Sequence, residues 1–199
     1  SITLGQDLTV NGILTLTNGL LILGDKNLIL GTSATIEGSP SASSMIVATS
    51  TGELRKAIDD ERVLPFSFTY PLGDNEGTAE YSPVTLNFTA GTFYNAYASV
   101  TLANLKHPSN TSSVDYLNRY WIVNQSGISD FSCDVTAQYL PADVVGTESS
   151  IWTGKYDGSS WTLLNQANVV NHTLAGTVTG FSTFTGGQQS SMPVELSTF

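Results

Sequence analysis

Residues Leu8 to Leu30 read LTVNGILTLTNGLLILGDKNLIL, and this stretch decides the fold. Apolar residues two apart occur at Leu8/Val10, Leu14/Leu16, Leu21/Leu23 and Leu28/Leu30, with Ile2/Leu4 before them and Ala34/Ile36 after. Side chains two apart on an extended chain share one face, so each pair marks a very short strand with two inward residues. Asn11-Gly12, Asn18-Gly19, Gly24-Asp25 and Gly31 separate the pairs, and these residues accept the sharp corners such spacing needs. The glycines and the wrong period exclude a helix.

Two arrangements use short strands in this way. A hairpin at Asn11-Gly12 sets Val10 opposite Ile13 and Leu8 opposite Thr15, which leaves Leu14 and Leu16 on the wrong face. A hairpin at Asn18-Gly19 is acceptable, so the second corner does not discriminate. A β-solenoid with three strands per coil accounts for both corners. It stacks Ile2 under Leu21, Leu8 under Leu28 and Leu14 under Ala34. The solenoid is the preferred expectation and the meander its alternative.

Composition narrows the class. The chain has 199 residues, 40% of them hydrophobic but only 12% charged. Thr, Ser, Asn and Gly therefore fill the exposed strand faces, a pattern of extracellular β proteins. The formal net charge of −10 repels polyanions, which argues against nucleic acid and against an anionic membrane surface. The apolar runs are too short to span a bilayer, so membrane insertion is not expected. The single cysteine, Cys133, alternates with Phe131 and Val135 and reads as a core thiol. No leader is apparent, and the abrupt start in a strand pattern suggests a module with neighbouring modules in a larger parent chain.

Beyond the rungs, Met45-Ile46-Val47 and Glu53 to Ile58 read as an irregular third coil. Asp59-Asp60-Glu61-Arg62 reads as a solvated corner and a boundary. From Val63 the strands lengthen: 64–70, 82–88, 93–102, 119–124, 131–140, 149–156, 160–164 and 173–184. Tyr156 to Trp161 carries a tight-hairpin signal. The expected fold is all-β: a solenoid over 1–62, capped by an antiparallel β-sandwich of jelly-roll or Greek-key type over 63–187. Gly186 to Ser191 reads as flexible, and 188–199 as a linker. The corner from Ile58 to Val63 lacks a Gly, Ser or Pro spacer. The sandwich is therefore expected to dock on the last rung through Val63, Leu64, Phe66 and Phe68.

Several segments carry a family likeness. They are the rung repeat; Tyr70-Pro-Leu-Gly-Asp74 followed by Tyr81-Ser-Pro-Val-Thr-Leu86; Arg119-Tyr-Trp-Ile-Val123; Trp161-Thr-Leu; Gly180-Phe-Ser-Thr-Phe-Thr-Gly-Gly187; and Met192-Pro-Val-Glu-Leu-Ser-Thr-Phe199. In this order they resemble a recurrent module of secreted, surface-attached Bacteroidota proteins exported by the type IX secretion pathway. There the last segment precedes a C-terminal sorting domain. The resemblance implies an extracellular or cell-surface module to which catalysis is not generally assigned.

Candidate chemistry is sparse. His107 and His172 show no metal-ligand spacing and read as surface residues, and no Gly-x-Ser-x-Gly elbow or phosphate loop is present. Asp74, Asn75 and Glu76, bracketed by glycines, form a candidate calcium loop, though without the EF-hand spacing. No other cofactor is expected. Trp152, Tyr156 and Trp161 flank one hairpin. If they face outward they form a stacking platform for sugar rings; if inward they are core. Asn-x-Ser/Thr matches at Asn87, Asn110, Asn124 and Asn171 carry little weight in a bacterial chain. The rung threonines Thr9, Thr15, Thr17 and Thr35 do not form the single column an ice-binding face requires. The expected function is a non-catalytic structural or adhesion module. The alternative is a carbohydrate-binding module serving an attached enzyme and recognising an extracellular glycan.

Overall fold

The computed structural model describes residues 1–192. The first half holds β1 (Ile2–Thr3), β2 (Leu8–Val10), β3 (Ile13–Leu16), β4 (Gly19–Ile22), β5 (Leu28–Leu30), β6 (Thr35–Gly38), β7 (Ser44–Val47) and β8 (Leu54–Ile58). Every pairing among these strands is parallel: β1 with β4, β2 with β5, β3 with β6, then β4 with β7 and β5 with β8. Parallel pairing at every step excludes the meander, whose neighbours must run antiparallel.

Two expected registers hold, Ile2 against Leu21 and Leu8 against Leu28. The third does not. Leu14 lies against Ile36, two residues beyond Ala34. The cause is the corner after β5, where Ala34 N donates to Gly31 O at 3.0 Å and the tight turn consumes residues before β6 begins.

The second half is also β. Its strands are β9 (Phe66–Tyr70), β10 (Leu72–Asp74), β11 (Glu80–Tyr81), β12 (Val84–Ala103), β13 (Tyr116–Leu117), β14 (Tyr120–Gln138), β15 (Val144–Val145), β16 (Ile151–Tyr156), β17 (Trp161–Gln166), β18 (Thr173–Val178) and β19 (Thr183–Gln188). Among the described residues the remaining regular elements are three short 3₁₀ turns. No helix among the described residues is long and apolar enough to cross a membrane.

Strands expected as separate pairs are continuous. Residues 82–88 and 93–102 merge into β12, and 119–124 and 131–140 merge into β14. Gly91 and Asp130, between these expected strands, sit at bulges and not turns, and so does Asn95 inside the expected strand 93–102. Gly91 has φ 149°, Asn95 46° and Asp130 51°, and the β12–β14 register slips between Phe88 and Tyr97. A bulge bends a strand without ending it. The bend lets β12 pair with β9 through Val84–Phe88 and with β8 through Ala96–Val100. In the same way β14 pairs with β18 at one end and β19 at the other.

The sheets run through both halves. One holds β1, β4, β7, β10 and β11 in that order. The larger runs β17, β16, β19, β14, β12, β8, β5, β2, with β9 and β18 attached at its side. The core is likewise shared: Leu23, Leu28, Leu30, Ile46 and Leu54 belong to one buried cluster with Val100, Leu102, Trp121 and Phe184. Leu64, Phe66 and Phe68 pack against it as expected. Val63 does not; it is 82% exposed.

The expected flexible segment at Gly186 to Ser191 is instead mostly strand and 3₁₀ turn. Gly186 and Gly187 lie within β19 opposite Thr153 and Trp152. A Cβ at Gly186 would meet Ile151 at 2.6 Å, and one at Gly187 would meet Asn110 at 2.6 Å. The glycines are there for close packing. Met192 is fully buried; the rest of the expected linker, 193–199, lies outside the described residues.

Candidate binding face

The hairpin of β16 and β17 forms where its signal placed it. Asp157 closes it, its Oδ1 accepting from the N–H groups of Ser159 and Ser160, both at 2.8 Å. These hydrogen bonds hold the carboxyl well below the usual range. Tyr156 and Trp161 are directly opposite across the ladder, with ring centroids 4.9 Å apart.

Trp161 is only 6% exposed, so it is core and cannot stack a sugar. His107 explains why. It is buried, not a surface residue, and its ring wedges against Trp161 at 5.1 Å, Tyr156 at 5.3 Å and Tyr120 at 5.0 Å. His107 Nδ1 accepts from Ser109 N at 3.1 Å, and Trp161 Nε1 donates to Ser109 O at 3.4 Å. Burial lowers the His107 pKa, so the neutral ring is favoured. Tyr156 is half-buried at the edge of this cluster. His172 does sit at a turn, with φ 52°, and its Nδ1 lies 2.7 Å from Glu148 Oε1.

Trp152 stands apart from that cluster. It is half-buried in an open depression of about 520 Å³ lined by Ser149, Ser150, Gln166, Gln188, Gln189 and Ser190. A flat indole ringed by amides and hydroxyls suits an uncharged polar ligand. The three aromatic candidates thus divide into one partly open tryptophan, one edge tyrosine and one core tryptophan. A second and larger groove, about 690 Å³, lies over the paired strands β5, β8 and β12 beside the corner 59–61. There the Arg55 guanidinium lies 4.9 Å over the Tyr97 ring, and Asp60 Oδ1 accepts from Asn95 N at 2.8 Å.

The calcium loop is not borne out at Asp74. Its side chain is fully buried, and its oxygens are taken. Oδ2 accepts from Arg119 Nη1 at 2.7 Å; Oδ1 accepts from Glu76 N at 3.1 Å and Asn104 Nδ2 at 3.2 Å. Asn75 and Glu76 point to solvent as an exposed turn. Among the described residues no cluster of three His, Cys, Asp or Glu is placed to hold a metal.

Arg119 is the residue whose role the sequence did not reveal. It is fully buried and binds three carboxylates: Asp74 through Nη1, Asp143 through Nε at 2.8 Å and Glu80 through Nη2. Its own carbonyl accepts from Thr185 Oγ1 at 2.7 Å. One side chain thereby ties β10, β11 and the 3₁₀ turn Pro141–Asp143 to the start of β14, and the backbone of the same residue adds β19. The only trace of this in the sequence was an arginine in the apolar run before Trp121. Cys133 is core as expected, and burial pushes its thiol up to about 12.

No protein family, no curated protein and no solved structure matches the chain.

Proposed function

We propose that the chain is a non-catalytic structural or adhesion module of a secreted or cell-surface protein, working beside neighbouring modules of a longer chain. In this reading residues 1–62 form a short three-sided parallel solenoid, and the bent strands of 63–187 form a sandwich of jelly-roll or Greek-key type that caps its last coil. One observation carries it: the larger sheet passes without interruption from β2 through β8 and β12 to β17. A hydrogen-bonded sheet of this kind transmits load from one end to the other, as a rigid spacer or stalk must. The likeness of the rung and strand motifs to Bacteroidota surface modules, with export by the type IX pathway, supports the same reading. The test is a panel of polysaccharide and ester substrates, on which the purified chain is expected to give no turnover. Turnover abolished by replacing a single serine or carboxylate would overturn the proposal.

The depression at Trp152 favours a second reading, a carbohydrate-binding module attached to a polysaccharide-degrading enzyme. Stacking on Trp152, with Gln166 and Gln189 taking sugar hydroxyls, is the mode it would use. On a glycan array, binding lost in Trp152→Ala but kept in Tyr156→Ala is the expected signature. Absence of binding, or binding indifferent to Trp152, would contradict it.

A further inference from the structure

Two of the three parallel ladders of the first half run on into the second half. β7 pairs with β10, and β8 pairs with β12. The third ladder stops. Among the described residues β6 pairs only with β3, and β9 only with β12. Thr35 N donates to Gly12 O, and Ser39 N donates to Leu16 O. In an extended strand neighbouring residues turn their N–H and C=O to opposite sides, so Ile36 aims both away from β3. Ala34 O lies on that same side, where Lys56 Nζ donates to it at 2.9 Å. A groove of about 370 Å³ lies between the two strands, lined by Thr35 and Ile36 of β6 and by Phe66, Ser67, Phe68 and Thr69 of β9. Both edges belong to internal strands.

The charge of the groove is opposite to that of the molecule. The chain carries −10 with only seven Lys and Arg, yet Lys56 and Arg62 both line the groove and no Asp or Glu does. Each cation lies over a ring of β9. Arg62 Cζ is 4.6 Å from the Phe66 centroid, and Lys56 Nζ is 5.6 Å from that of Phe68. Lys56 is fully engaged with Gly31 O, Thr32 O and Ala34 O. Arg62 is not. Its Nη2 donates to Thr32 O at 3.1 Å, but its Nε is buried and has no hydrogen-bond partner. Asp59 and Glu61 line a neighbouring depression with Arg62, yet among the described residues no carboxylate forms an ion pair with it. A buried guanidinium N–H without an acceptor is destabilising, and an oxygen from a ligand would relieve it.

We propose that this groove is a strand-addition site for an extended acidic peptide of a partner protein. The peptide lies between β6 and β9, its backbone pairs with both edges, and one of its carboxylates accepts from Arg62 Nε. Backbone pairing supplies the affinity, and the side-chain contacts select the sequence. Alternate side chains of the peptide meet Ile36, Phe66 and Phe68, which pack against the core, and are therefore apolar. A basic peptide would set a cation against Lys56 and Arg62. A nucleic acid or an anionic membrane is repelled by the rest of the molecule and cannot enter between two strand edges. The inference rests on where the ladders end and on the charge of the groove, and not on the surface-module reading.

The probe is a short blocked peptide of alternating valine and threonine with one central glutamate, titrated calorimetrically into the whole chain. Saturable binding is expected, at least about tenfold tighter than for the same peptide with glutamine, the difference a charge-assisted hydrogen bond makes. Arg62→Gln is expected to abolish that preference. N-methylation of either alternate set of the peptide's amides is expected to weaken binding at least about tenfold, because a strand held between two edges uses both sets. The peptide comparisons use the parent chain and stand even where the variant folds poorly. Amide hydrogen exchange is expected to slow at Ile36 and within Phe66–Tyr70. No binding, no preference for glutamate over glutamine, indifference to N-methylation, or protection confined to the outer strands β11 and β17 would overturn the inference.

Discussion

Arg119→Ala is expected to destabilise the chain by about 4 kcal/mol, the typical cost of removing one partner from a buried ion pair. The loss is large because the guanidinium is the shared partner of Asp74, Asp143 and Glu80, and the first two are almost wholly buried. Without it their negative charges face one another in a dry interior. The predicted fall in melting temperature is about 10 °C. Arg119→Lys should recover only part of this, because an ammonium cannot serve three carboxylates in the fixed fork a guanidinium offers.

The pH dependence of this cluster has a definite sign. Burial raises the pKa of Glu80; attraction to Arg119 opposes this, and Asp143 and Asp74 add to it. The folded chain therefore keeps a proton there at a pH where the unfolded chain has lost it. The contribution of Glu80 to stability is present at low pH and lost as pH rises through its folded pKa. Glu80→Gln, which imitates the protonated acid, should match the parent near pH 4 and be at least as stable at neutral pH. Parallel thermal melts across this range check it; a variant less stable than the parent only at neutral pH would contradict it.

Lys56→Met is expected to cost about 3 kcal/mol, because it removes three charge-assisted hydrogen bonds and leaves the buried Ala34 carbonyl without its ammonium donor. Lys56 is 3% exposed and continues the ladder position of Val10 and Leu30 in the paired strands β2 and β5. Its Nζ reaches the corner after β5 and donates to Gly31 O at 2.6 Å, Thr32 O at 2.9 Å and Ala34 O at 2.9 Å. Burial, with a smaller push from Arg62, lowers its pKa to about 8, which leaves it protonated at neutral pH. The ammonium thus serves the corner that leads into β6, a strand that among the described residues pairs only with β3. Denaturant unfolding followed by circular dichroism measures the effect. Arg55→Met, at the neighbouring but half-buried position, is the control and should change stability by under about 1 kcal/mol.

These side chains show what local pattern can and cannot convey. The rungs were legible because each strand announces its inward face by residues two apart, and its corners by Asn and Gly. Ile2 over Leu21 and Leu8 over Leu28 followed from spacing alone. Leu14 was misplaced because a corner's residue count depends on hydrogen bonds such as Ala34 to Gly31, which spacing does not encode. Gly91 and Asp130 looked like strand ends because a bulge and a turn use the same residues. Gly186-Gly187 looked like a linker because a glycine needed for close packing is indistinguishable from one needed for freedom. The candidate site was less legible still. Asp74 appeared beside Asn75 and Glu76, but its partner Arg119 is distant in sequence. His107 appeared in a polar loop, while the rings that bury it come from three different strands.

The central claim is that strands β1–β8 and the bent strands form a single cooperative body, joined through β8 and β12 and through a shared core. Differential scanning calorimetry tests it most directly. The account predicts one transition whose calorimetric and van't Hoff enthalpies agree. It also predicts that Leu54→Ala, in β8, and Val100→Ala, in β12, lower that one transition together. Two separated transitions, with Leu54→Ala moving one and Val100→Ala the other, would contradict it.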